Sequence, residues 1–108
     1  MEFLVEFEIT VPRGTPEAEV EARENAEAMA AAALVEQGHL IRVWRLAAPD
    51  RRASALGLYR ADSSAQLDRL LEALPLYEWM QINITPLEPH PNDPRAREVT
   101  VVSEGSRQ

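Results

Sequence analysis

The sequence predicts an α+β fold: an antiparallel sheet with two helices on one face. Three observations lead there. Residues 2–11 alternate, with Phe3, Val5, Phe7, Ile9 and Val11 on one side and Glu6, Glu8 and Thr10 on the other, which is the period of a half-buried strand. Pro16–Gln37 repeats at helical spacing instead: Val20, Glu27, Ala31 and Leu34 fall along one line at about 100° of rotation per residue. Further along, strand-like and helix-like segments succeed one another in the order βαββαβ, the split-βαβ or ferredoxin-like plan.

Each element has local reasons. Pro12-Arg13-Gly14 ends the first strand. Thr15 is the candidate N-cap of the first helix, with Pro16 at its first position and Glu17 and Glu19 near its positive end. Gly38 is its expected terminator. His39–Ala47 and Ala53–Arg60 read as strands, joined by a turn through Ala48-Pro49-Asp50-Arg51-Arg52. Asp62-Ser63-Ser64 offers caps for a second helix, Ser64–Ala73, with Leu67, Leu70, Leu71 and Leu74 on one side and Pro75 as its stop. In Trp79–Pro86, Met80, Ile82 and Ile84 alternate with Gln81, Asn83 and Thr85 as a fourth strand. Residues 87–97, which follow Pro86 and hold Pro89, Pro91 and Pro94, read as an irregular arm, and Glu98–Val102 as a short strand or a frayed terminus. The expected division is a domain over 1–91 and a C-terminal arm or tail over 92–108.

Composition narrows the class. The chain has 108 residues, 45% of them hydrophobic and 27% charged, as expected of one globular domain. Its formal net charge is −7 and all 11 basic residues are arginine, so neither nucleic acid nor an anionic membrane is an expected partner. Without lysine there is no Schiff-base chemistry. Without cysteine there are no disulfides, thiolate nucleophiles or thiolate metal sites. No metal site and no cofactor are expected: the two histidines lack partners at ligand spacing, and no phosphate-cradling glycine loop, nucleophile elbow or dinucleotide fingerprint occurs. Neither a membrane span nor a secretory signal is visible, and a cytoplasmic location is the expectation.

Assembly is legible in two places. Ala28–Val35 is apolar at every position, and a helix apolar all round is buried all round. Apolar residues also point both ways along the strands, Trp44, Leu46, Leu58 and Ile84 among them, whereas helices cover one face only. Both point to a homo-oligomer.

Glu27 is the leading candidate for chemistry. It is a carboxylate on the apolar line of its helix, where burial raises the pKa into the range useful for general acid/base work. The plain alternative is a surface carboxylate paired with Arg23 four residues earlier. Like-charged Glu24 would push its pKa up and Arg23 would pull it down. His90, among prolines in the arm, is either a second proton carrier placed at a neighbouring subunit's pocket or a packing residue. Trp44 and Arg45 lie on opposite faces of one strand, as pocket wall and anion binder or as core residue and structural ion pair. Tyr77 beyond Pro75 is a further candidate for a pocket mouth, and His39 reads as structural.

The residues that follow carry a family likeness. Val11-Pro12-Arg13, Glu27, Glu36-Gln37-Gly38, Val43-Trp44-Arg45, Leu74-Pro75-Leu76-Tyr77, Thr85-Pro86-Leu87 and His90-Pro91 come in an order and spacing that resembles the muconolactone isomerases and related chloromuconolactone dehalogenases over residues 1–91. The resemblance implies a small cofactor-independent enzyme of aromatic catabolism, assembled as dimers and commonly decamers. It moves a proton across an unsaturated lactone, with the glutamate matching Glu27 as proton shuttle. The family's Lys-x-x-Glu-Lys pattern is altered here: Glu24 and Ala28 stand at the lysine positions. A Tyr-x-Asn pair near the third strand is also replaced, by the Ala48–Ser54 loop and small residues. The resemblance implies an isomerase acting on a small unsaturated lactone or carbonyl compound. Glu27 and His90 would be its catalytic residues, and Arg23, Trp44, Arg45 and Tyr77 would bind substrate. The alternatives are a lyase or dehalogenase on a related lactone, or a non-catalytic oligomer that binds a small ligand.

Overall fold

β1 (Glu2–Ile9) is a central strand because it is the most regular alternating segment and pairs on both sides. β3 (Ala53–Arg60) and β4 (Met80–Leu87) each run antiparallel to it along its whole length, with Val5 opposite Gly57 on one side and Ile84 on the other. β2 (Leu40–Arg45) pairs with β3 at the edge, which gives the order β2-β3-β1-β4. The fold is the α+β, ferredoxin-like plan that the element order predicts. The computed structural model describes residues 1–46 and 53–95. The expected turn 48–52 and the short strand 98–102 lie outside the described residues.

Helix α1 spans Glu17–Glu36 and α2 spans Ser64–Glu72. Both place apolar side chains against the sheet face bearing Phe3, Val5 and Phe7. Leu34 from α1 and Leu67, Leu71 and Leu74 from α2 and its exit join these, with Leu40 and Tyr59, in one core. Phe3, Val5 and Leu67 are completely buried; each such side chain stabilises the fold by about 1.5–3 kcal/mol relative to exposure.

The ends of the helices differ in how they are held. Thr15 does not cap α1: Pro16 occupies the N-cap position, and the Thr15 hydroxyl donates instead to Pro12 O at 2.6 Å, closing the turn that reverses the chain. α1 ends one residue before Gln37. Gly38 at φ 82° lets its N–H reach Val35 O while the His39 N–H reaches Leu34 O, the paired bonds of a Schellman ending. At α2, Ser63 Oγ accepts from Gln66 N at 3.1 Å, and Gln66 Oε1 accepts from Asp62 N at 2.6 Å, two helix-start donors satisfied reciprocally. Beyond α2, Tyr77–Trp79 forms a 3₁₀ turn, so β4 begins at Met80 rather than Trp79.

The edge strand carries a β-bulge. Leu40 faces Tyr59 but Arg42 faces Leu58, leaving Ile41 as the extra residue. This inverts the alternation from there on. Val43 and Arg45, opposite Gly57 and Ala55, turn to the helix side. Arg42 and Trp44, opposite Leu58 and Leu56, turn to the open face, where the Arg42 guanidinium lies 4.9 Å from the centre of a Trp44 ring.

Candidate active site

α1 carries the site because its inward line is not wholly apolar. Val20, Arg23, Glu27, Ala30 and Ala31 are half-buried and Leu34 is buried, while Glu24 and the other α1 carboxylates are exposed. Two of the inward residues, one turn apart, grip the segment after α2. Arg23 Nη1 donates to Pro75 O at 3.3 Å and pairs with Glu78 Oε1 at 3.1 Å, while Nη2 pairs with Glu19 Oε2 at 3.4 Å. Its guanidinium lies 4.6 Å from a Trp79 ring centre. Glu27 Oε1 accepts from Leu76 N at 3.0 Å. The segment Leu74-Pro75-Leu76-Tyr77 is thus held against α1 by a cation and a carboxylate together.

Glu27 has the raised pKa expected from its place on the helix. Burial pushes it above the ordinary carboxyl value, opposed by the hydrogen bond from Leu76 N–H. A half-buried carboxylate with a single backbone donor is under-solvated, which favours taking a proton. Opposite it on β3 lies Tyr59, a buried phenol whose pKa burial and the charge of Glu27 push up to about 12. Tyr59 was not singled out from the sequence. The signal was its parity with Ala55 and Gly57, small residues that leave an aromatic ring room on the same face.

The other expected site residues are dispersed. Arg23 sits beside Glu27 but is committed to Glu19, Glu78 and Pro75. The bulge sends Trp44 to the sheet face opposite Glu27, whereas Arg45 is on the helix side of the edge strand, exposed. Tyr77 is exposed. His90 is exposed, and its Nδ1 accepts from Asn92 N at 2.9 Å. His39 packs as expected: its ring Nδ1 meets Arg60 O at 2.8 Å. A cavity of about 340 Å³ lies elsewhere, on the open face among Glu6, Glu8, Leu46, Gln81 and Asn83. Glu6 and Glu8 there are exposed to water, and Glu6 accepts from Asn83 at 3.0 Å, so neither is a half-buried carboxylate like Glu27. Among the described residues, no helix is long and apolar enough to cross a membrane.

The chain shares this architecture with known proteins. The muconolactone delta-isomerase family matches it over residues 1–93. Muconolactone Delta-isomerase 1 of Acinetobacter lwoffii is 33% identical, the match covering 88% of this chain and 96% of that one. The muconolactone Delta-isomerase of Cupriavidus pinatubonensis is 31% identical, over 88% and 100%. A crystal structure of muconolactone isomerase superposes with a TM-score of 0.79 at 24% identity, covering 87% of this chain and 95% of that one. A dehydrochlorinase of 5-chloro-2-hydroxyhydroquinone from Burkholderia phenoliruptrix shares the fold at a TM-score of 0.58 and 13% identity, covering 86% and 99%. Matched nearly end to end by the family and by named members of it, this chain is an isomerase of the muconolactone delta-isomerase family.

Proposed function

We propose that the chain transposes a C=C bond in a small unsaturated lactone or related carbonyl compound, without a cofactor, by moving one proton on Glu27. The observation that carries this is the half-buried Glu27 carboxyl, whose pKa burial raises and whose only hydrogen bond among the described residues is to Leu76 N–H. In its carboxylate form it removes a proton acidified by the carbonyl group, giving a neutral carboxylic acid and a dienolate. The acid then returns the same proton two atoms away, restoring the carboxylate and fixing the double bond in its new place. No net proton is taken up. A positioned acid/base of this kind contributes about 10²–10⁴-fold.

Arg45 is the cation we assign to a substrate carboxylate, since it lies on the helix side of β2 opposite Ala55 and makes no ion pair among the described residues. Arg23 instead positions Glu27 by holding Pro75 and Glu78 against α1. The test is proton transposition in deuterated water with muconolactone as the probe. Product formation by the chain, lost in Glu27→Gln, supports the reading; equal turnover by Glu27→Gln removes it. A lyase would begin with the same abstraction, and release of a leaving group in that assay identifies it.

Assembly belongs to the same proposal. Met29 is 75% exposed and Val35 is 55% exposed on α1, and Leu4, Leu56 and Leu58 lie on the sheet face without helices. We assign both surfaces to contacts between copies, in dimers or larger rings up to decamers, with the arm carrying His90 reaching a neighbour's pocket. Light scattering at micromolar concentration should give a mass above that of the monomer, and truncation after Leu87 should lower that mass or the activity. A compact monomer overturns the assembly, and a truncated chain that matches the full chain in both respects removes any role for the arm.

A further inference from the structure

We infer that the Tyr59 hydroxyl is a catalytic group, the hydrogen-bond donor to the dienolate oxygen while Glu27 carries the proton; this rests on the role proposed above for Glu27.

The placement comes from the strand. Tyr59 points to the helix side between Phe3 and Leu40, and its ring lies down along β3 across Gly57. A Cβ built at Gly57 would be 2.6 Å from Tyr59 Cε1 and 3.5 Å from Phe7 Cε2, so glycine is what allows the ring to lie there. Phe7 packs beside it, with ring centroids 6.1 Å apart. Above this floor runs the inward line of α1: Ala30, Ala31 and Leu34 pack on the cluster that contains Tyr59. Glu27 precedes Ala31 by one turn on that line. Carboxyl and phenol therefore share the layer between α1 and the floor of small residues Ala55 and Gly57.

The hydroxyl itself has no packing reason to be there. Tyr59 is 4% exposed, and its oxygen makes no hydrogen bond among the described residues. Buried polar groups ordinarily have partners, and an unpaired one costs stability that phenylalanine would not. Among the described residues, Ser54 Oγ is the only buried side-chain oxygen that is both sealed off and unpartnered. The Tyr59 hydroxyl is therefore largely buried but not completely sealed, an arrangement suited to a donor awaiting a ligand.

Its electrostatics fit a donor and not a base. With its pKa pushed up to about 12 by burial and by the charge of Glu27, the phenol keeps its proton throughout the neutral range. As Glu27 accepts the substrate proton, the negative charge moves from the carboxylate to the substrate oxygen. The phenol O–H can then strengthen its bond to that oxygen, without any cation and without giving up its own proton. Neutral acids held protonated by an apolar site stabilise enolates in this way.

Tyr59→Phe removes the oxygen alone. Expected is a fall in kcat on muconolactone of about 10²–10³-fold with KM little changed and an unfolding midpoint equal to or above that of the parent chain. A second arm needs no turnover: calorimetric binding of tetronate, a five-membered lactone that is an enolate at neutral pH. Tyr59→Phe should weaken it by about tenfold or more, whereas Glu27→Gln, which removes a like charge, should not. Unchanged kcat in Tyr59→Phe, or equal tetronate affinity in it and the parent chain, including none in either, overturns the role of Tyr59. Undiminished turnover by Glu27→Gln overturns the role of Glu27, whatever Tyr59→Phe does.

Discussion

Glu27→Gln should reduce kcat by about 10²–10⁴-fold and, at neutral pH, make the folded chain more stable. Glutamine keeps the shape and the oxygen that accepts from Leu76 N but cannot take up a proton from carbon. The gain in stability follows from burial. The folded chain holds the Glu27 proton more tightly than the unfolded chain, whose carboxyl titrates near its ordinary value of 4.5. The contribution of Glu27 to stability is therefore greatest below that value, falls as pH rises through the raised folded pKa, and carries the whole penalty above it. Glu27→Gln removes the penalty, so its advantage should grow with pH across that window and then level off. Thermal unfolding of both chains from pH 4 to 8 measures it. A residue retained at a cost in stability fits a catalytic role. A glutamine variant that is less stable at neutral pH, or equally active, would mean that Glu27 is not a buried catalytic base.

Leu67→Ala should lower stability by about 2–5 kcal/mol, a large share of the roughly 5–15 kcal/mol typical of a small domain. Leu67 is fully buried beneath α2 against Phe3 and Val5. The helix is only nine residues long, so it has few other contacts with which to absorb the loss. α2 also leads into Leu74–Trp79, the segment whose Leu76 N–H orients Glu27. The variant should therefore lose activity at temperatures where it is still mostly folded. Urea unfolding reads the stability: a lower midpoint with an unchanged slope is expected, and a loss below about 1 kcal/mol would mean that α2 is not packed as described.

The parts legible in the sequence are those set by local periodicity. The alternation of Phe3, Val5 and Phe7 fixed the core face of β1, and helical spacing put Glu27 on the inward line of α1 with Val20, Ala31 and Leu34. Gly38 and Ser63 mark helix ends because the backbone needs them there. What escaped depends on partners distant in sequence. The bulge at Ile41 exists only because β2 must pair with β3, and without it the parity of Trp44 and Arg45 cannot be assigned to a face. Thr15 has the chemistry of a cap, yet Pro16 takes the N-cap position and the Thr15 hydroxyl donates to Pro12 O. The pKa of Glu27 rises through burial, as its place on the apolar line predicts; Glu24, expected to add to the rise by charge, is exposed, and Arg23 is occupied by Glu78 and Pro75. Tyr59 escaped because its strand reads as small and apolar; its significance lies in sharing its surroundings with Glu27, 32 positions earlier in the chain.

If Glu27 is a base whose affinity for a proton is set by its surroundings, a carbon-detected NMR titration of its carboxyl in the full chain reads that affinity itself. Expected is a midpoint above the ordinary 4.5, with the ascending limb of the activity profile rising at the same pH. A midpoint at or below 4.5 would make Glu27 an ordinary surface carboxylate and leave the isomerisation without its base.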